Sequence, residues 1–147
     1  MPTINPAALG FGVLFVAQAA LLARSAWRTP PSLRFDGARG AAAWIGNALL
    51  AYAAVLYPLA GLAAGHAASE LPAFGVTPCP LTLFTFGVLL HAPAVPGRLL
   101  AIPFAWSIVG GSAALLLDVP QDWPLLASGP LVLGLLLTRR LAAAPSA

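Results

Sequence analysis

The chain has 147 residues, of which 60% are hydrophobic and 7% charged; seven arginines face four acids and there is no lysine. A soluble domain carries about 25% charged residues, so this composition excludes a soluble core under a wetted surface. Nucleic-acid binding is excluded as well, because it needs basic clusters interleaved with aromatics on a solvated face.

The spacing predicts five apolar segments. The first runs 6–23. Pro6 suits a first helical turn, Asn5 is placed to cap it, and Gln18 is its one polar interruption. The loop that follows, 24–40, holds Arg24, Arg28, Arg34 and Arg39 against Asp36 alone. Its Thr29-Pro30-Pro31-Ser32 stops the helix, and Trp27 lies where an interfacial aromatic belongs. The second segment, 41–64, contains Asn47, Tyr52, Tyr57 and Pro58, and Pro58 should kink it. Gly61 and Gly65 have the GxxxG spacing of a close helix contact.

The next loop, 65–78, carries His66 and Glu70 and no arginine. A third segment begins in Pro78-Cys79-Pro80 and reaches Pro93. Its roughly 14 to 16 residues span only about 21 to 24 Å, against a hydrocarbon thickness of about 30 Å. A full crossing over 79–95 is expected, with Ala92 to Val95 making up the length. The fourth segment, 99–117, has Pro103 and Trp106 in its first half and Gly110-Gly111-Ser112 further on. Adjacent glycines there mark a flexible point or a close helix contact. Asp118 and Asp122 lie in the short loop before the fifth segment, 123–138, which ends in Arg139-Arg140. Trp44, Trp106 and Trp123 read as interface anchors.

Five crossings place the first loop, the third loop and the C-terminus on one side, together with every arginine. The opposite side receives His66, Glu70, Asp118 and Asp122. The positive-inside rule makes the arginine side cytoplasmic. The expected protein is therefore a single all-α domain, 1–147, a polytopic transmembrane helix bundle with its N-terminus outside and its C-terminus in the cytoplasm.

The strings FGVTPCPLTLFTFG (74–87), GGSAA (110–114) and PQDW (120–123) carry a resemblance that extends from the INPA start at Ile4 over most of the chain. In them the sequence resembles a bacterial family of multi-pass integral membrane proteins of unknown function. The resemblance implies an integral membrane location and a shared multi-span fold, and the bacterial inner (cytoplasmic) membrane is the expected location. It also implies a shortened member of a longer family, or a C-terminal half. It brings no activity, cofactor or catalytic residue.

Cys79 has two readings. At a helix N-terminus the unpaired backbone donors favour a thiolate, so it could be a reactive or metal-binding thiol. The preferred reading is a small apolar residue fitted into a tight Pro-X-Pro entry. His66, Glu70, Cys79, Asp118 and Asp122 share one face and form a weak candidate metal set with no diagnostic spacing; solvated loop residues are preferred. Asp122 is expected to cap the fifth helix. His91 reads as an interfacial histidine rather than a proton relay. Gln18, Asn47, Tyr52, Tyr57 and Ser112 read as partners for neighbouring helices.

No catalytic spacing is present, so an enzyme and a cofactor are not expected. The preferred function is a non-catalytic accessory or interaction subunit, in contact with the bilayer and with a larger membrane protein or further copies of itself. The alternative is a small-solute transporter or permease component, its path near the short third segment and Gly110, Gly111 and Ser112, with Gly61 and Gly65 as further helix contacts. An outer-face thiol or metal site centred on Cys79 ranks last.

Overall fold

A computed structural model describes residues 6–28, 33–35, 39–63, 65 and 77–143. The fold is all-α, and no strand occurs among these residues. Five helices follow in order: α1 (Pro6–Ala26), α2 (Ala41–Ala63), α3 (Pro78–Leu90), α4 (Arg98–Leu116) and α5 (Trp123–Ala143). A 3₁₀ turn, Pro120–Asp122, leads into α5. Four of the helices are long and apolar enough to cross a membrane; α3, with 13 residues, is not.

The expected span over 79–95 is corrected at its C-terminal end. α3 stops at Leu90, and Ala92 to Val95 form a bend that leads to the second proline, Pro96. Pro93 and Pro96 account for the stop, since neither can continue a helix. At 1.5 Å per residue α3 is about 20 Å long. It is nevertheless the helix most enclosed by protein. It packs on α2, α4 and α5, and Leu83, Phe86, Leu89 and Leu90 are almost wholly buried. The short helix therefore forms the middle of the bundle, and the long helices surround it.

Successive helices run antiparallel. Phe11 of α1 meets Trp106 of α4 edge to face at 4.3 Å, while Gln18 Nε2 donates to the Leu99 carbonyl at 2.9 Å. Gly46, near the start of α2, lies against Gly87 and His91, near the end of α3. Two cores result. The larger joins Phe86, Leu89, Leu90, Val95, Leu99, Val132 and Leu136 with Leu33; the smaller joins Ala53, Tyr57, Leu83 and Leu125 at the opposite end. Arg24, Arg28, Arg34, Arg39, Arg98, Arg139 and Arg140 all belong to the end with the larger core. Asp118 and Asp122 belong to the other.

Glycines fix the spacing of the inner helices. A Cβ on Gly46 would lie 3.0 Å from the Gly87 carbonyl oxygen, and one on Gly87 would lie 2.9 Å from the Gly46 oxygen. The backbones of α2 and α3 thus touch, the kind of approach that drives helix association in lipid. A Cβ on Gly111 would lie 2.5 Å from Leu126 Cβ and 2.7 Å from its Cα, which brings α4 and α5 equally close. Gly129 of α5 faces Ser107 and Phe104 in the same seam. Of the two roles open to Gly110 and Gly111, the structure shows close contact.

Gly65 is corrected. It follows the end of α2 with φ +87° and donates to the Leu62 carbonyl at 3.0 Å, so it is a left-handed stop and not a packing glycine. Gly61 is buried inside the last turns of α2.

Candidate functional site

The site is built by Pro58. With no N–H, it leaves the carbonyl four residues earlier without its α-helical partner, and its ring crowds that carbonyl. The chain answers with a π-helical turn over Tyr52–Leu56, in which the Tyr57 N–H donates to the Tyr52 carbonyl. The expected kink at Pro58 thus takes the form of one widened turn.

That turn aligns two side chains. Five residues apart on a regular α-helix, Tyr52 and Tyr57 would diverge by about 140° around the axis. The extra residue brings them onto one face, with their rings edge to face at 6.3 Å. Both hydroxyls then reach the 3₁₀ turn before α5. Tyr52 donates to the Gln121 carbonyl at 2.8 Å, and Tyr57 donates to Asp122 Oδ1. Asp122, the expected cap of α5, stands immediately before that helix, and its carboxylate is engaged across the bundle with α2.

Cys79 completes the cluster. It is half-buried in the first turn of α3, within hydrogen-bonding reach of Asp122 and Tyr57. Trp106 of α4 closes the far side. Its Nε1 lies beside the sulfur but is buried without an acceptor in hydrogen-bonding geometry. Trp106 is therefore not an interface anchor. It is packed between Phe11 and Gly110, whereas Trp27, Trp44 and Trp123 are 84%, 79% and 51% exposed. An apolar recess of about 310 Å³ adjoins the cluster, reached between Phe11, Val109, Val119 and Asp122.

The structure brings Cys79 and Asp122 together out of the five residues of the candidate metal set. Asp118 does not join them. It is exposed just past α4, at φ 52°, a left-handed position that a short polar side chain tolerates. His66 and Glu70 lie outside the described residues, as does the expected Asn5 cap. Among the described residues no group of three His, Cys, Asp or Glu side chains comes within reach of one metal ion. Ser112 is exposed and donates back to the Val109 carbonyl at 2.9 Å. His91 sits at the end of α3 with its ring against Gly46.

Tyr57 and Trp106 are the members that the reading of the sequence missed as partners of Cys79. The available signal was the pair of tyrosines five apart, immediately before a proline inside an apolar segment. That pattern predicts a π turn and a shared face. Chemically the cluster pairs a carboxylate with a phenol, and a thiol with both, in an apolar setting. The two tyrosine hydroxyls find acceptors in the turn before α5, with Cys79 of α3 beside them, so the arrangement ties α2 to the α5 entry at the acidic end.

The opposite end of α3 is held in a matching way. Arg139 Nη1 donates to the Leu90 and Ala92 carbonyls at 3.2 and 3.4 Å, and Arg140 Nη2 donates to the Val95 carbonyl. These are carbonyls that the helix end and its bend leave without intrahelical partners. A cation also complements the negative end of the α3 dipole, as Asp122 complements the positive end.

A family model described as a family of unknown function, DUF6064, matches residues 2–146. The chain belongs to that family. No curated protein and no solved structure matches it.

Proposed function

Starting from membership of a family that brings no activity with it, we propose that this is a multi-pass integral membrane protein of the bacterial inner membrane, acting as a non-catalytic accessory or interaction subunit. Its N-terminus faces outward and its C-terminus the cytoplasm, because all seven arginines gather at the end that carries the C-terminus.

The observation that supports an interaction role is the placement of α1. Its contacts with the other helices are chiefly with α4. Val13 and Val16 are 69% and 71% exposed, and nothing approaches within 4 Å of a Cβ placed on Gly10 or Gly12. A helix held on one flank, with small residues opening the other, is suited to receive a further transmembrane helix. The partner is a larger membrane protein or a second copy of this chain. The inner helices weigh against the transport alternative. The space at Gly110 and Gly111, near which that alternative puts a path, is taken up by Leu125, Leu126 and Trp106.

Photo-crosslinking residues at positions 13 and 16 test the proposal in native membranes. A defined adduct from these positions, and none from position 55 on the exposed face of α2, is expected. Solute uptake by the protein alone in proteoliposomes, abolished by Gly110→Leu, would establish the transport reading instead.

A further inference from the structure

A groove of about 210 Å³ runs between α4 and α5 at the arginine-bearing end. Phe86 of α3 forms its floor, and Leu100, Phe104, Leu133 and Leu137 form its walls. It exists because Gly97, Ala101 and Gly129 supply no bulk where the two helices face each other. Its lining is apolar except at one end, where Arg140 closes it.

Arg140 is fixed in that position by its bond to the Val95 carbonyl. This uses one of the five donors of a planar guanidinium, a fork that matches phosphate oxygens in pairs. Arg98, the first residue of α4, is exposed beside Gly97, and the positive end of the α4 dipole points the same way. An apolar slot thus ends in fixed positive charge at the arginine-bearing end of the bundle. Basic pockets between transmembrane helices on the cytoplasmic side are the usual receptors for anionic lipid headgroups.

We propose that this groove holds one anionic phospholipid, with its phosphate on Arg140 and one acyl chain lying between α4 and α5. The proposal rests on the membrane location stated above but not on the accessory role. A zwitterionic lipid would bring its own cation to the same arginines, so phosphatidylglycerol is favoured over phosphatidylcholine.

The test uses the full chain purified in mild detergent, equilibrated with equal amounts of phosphatidylglycerol and phosphatidylcholine and weighed by native mass spectrometry. One retained phosphatidylglycerol is expected, preferred by about threefold or more, the scale of a screened repulsion between the choline cation and exposed arginines, since both lipids offer the phosphate. Ala101→Phe fills the groove without touching an arginine and should abolish retention. Arg140→Gln should remove the preference, and Arg28→Gln, on the same face but away from the groove, should leave it intact. Equal retention of the two lipids would overturn the proposal, as would full retention by Ala101→Phe. So would an equal thermal stabilisation by inorganic phosphate alone, which would mark a bare anion site. A lipid-free dimer lost on Ala101→Phe would give the groove to a second copy instead. Loss of the lipid with the α1 crosslink intact would sink this proposal and leave the accessory reading standing.

Discussion

Replacing Gly111 by alanine adds one methyl group at the closest approach of α4 and α5. The new Cβ would stand 2.5 Å from Leu126 Cβ, 2.7 Å from its Cα and 2.8 Å from its nitrogen. Ordinary contact begins at 3.4 Å, so the helices must part by nearly 1 Å. Two of the three obstructing atoms are backbone, and no rotamer change relieves them. Overpacking of this kind costs about 1–3 kcal/mol, and a site blocked by backbone belongs at the upper end. Alanine recovers up to about 1 kcal/mol through its better helix propensity. The net expectation is a loss of about 2 kcal/mol. Gly12→Ala is the matched control, because nothing lies within 4 Å of its new methyl group. It keeps the propensity gain, so the two substitutions have opposite signs. Thermal unfolding of both variants in the same detergent, followed by circular dichroism, measures the difference. A Gly111→Ala protein as stable as the parent would refute the close contact of α4 and α5.

Three further outcomes follow from the ends of α3. Tyr57→Phe takes the phenol donor from the half-buried Asp122 carboxylate, leaving it only the weak thiol of Cys79, and should cost about 1–3 kcal/mol. A double-mutant cycle with Asp122→Asn should show coupling of at least about 0.5 kcal/mol, and strict additivity would dissolve the pair. Arg139→Gln withdraws the cation from the Leu90 and Ala92 carbonyls and should cost about 1 kcal/mol, with faster amide exchange over 90–95 and unchanged exchange in α1. For orientation, in a Cys79→Ser background, a membrane-impermeant maleimide should label Leu117→Cys on intact cells and Leu141→Cys only after permeabilisation. The reverse pattern would invert the assignment of sides.

Much of the architecture is legible from hydropathy and charge. The five segments and the gathering of the arginines at one end follow from residue type and order, whereas Gly65 reads as a packing glycine and proves to be the stop that follows α2. What hydropathy does not encode is the facing of each helix. In helices as apolar as these, outward and inward residues are equally hydrophobic, so the pattern that reveals a buried face in water is missing. Trp106 shows the consequence: by composition it is an anchor, and by packing it is a wall of the Cys79 cluster. The Gly46–Gly87 contact joins residues 41 apart with no polar partner to announce it. Tyr57 and Asp122 are separated by 65 residues, and their pairing depends on a π turn that only Pro58 hints at. Arg139 and Arg140 read as topological charges; their second task, on the carbonyls after Leu90, depends on where a different helix ends.

That second task bears on the order of assembly. α3 has its first turn beside Asp122 and its last carbonyls under Arg139, residues that bracket α5. The ribosome makes α3 well before α5, since chains emerge from the N-terminus onward. Until the final helix arrives, this 13-residue helix has neither terminus provided for. α5 therefore acts as a clasp that fastens both ends of α3 in one step. A chain released before Trp123 would hold the central helix without its clasp.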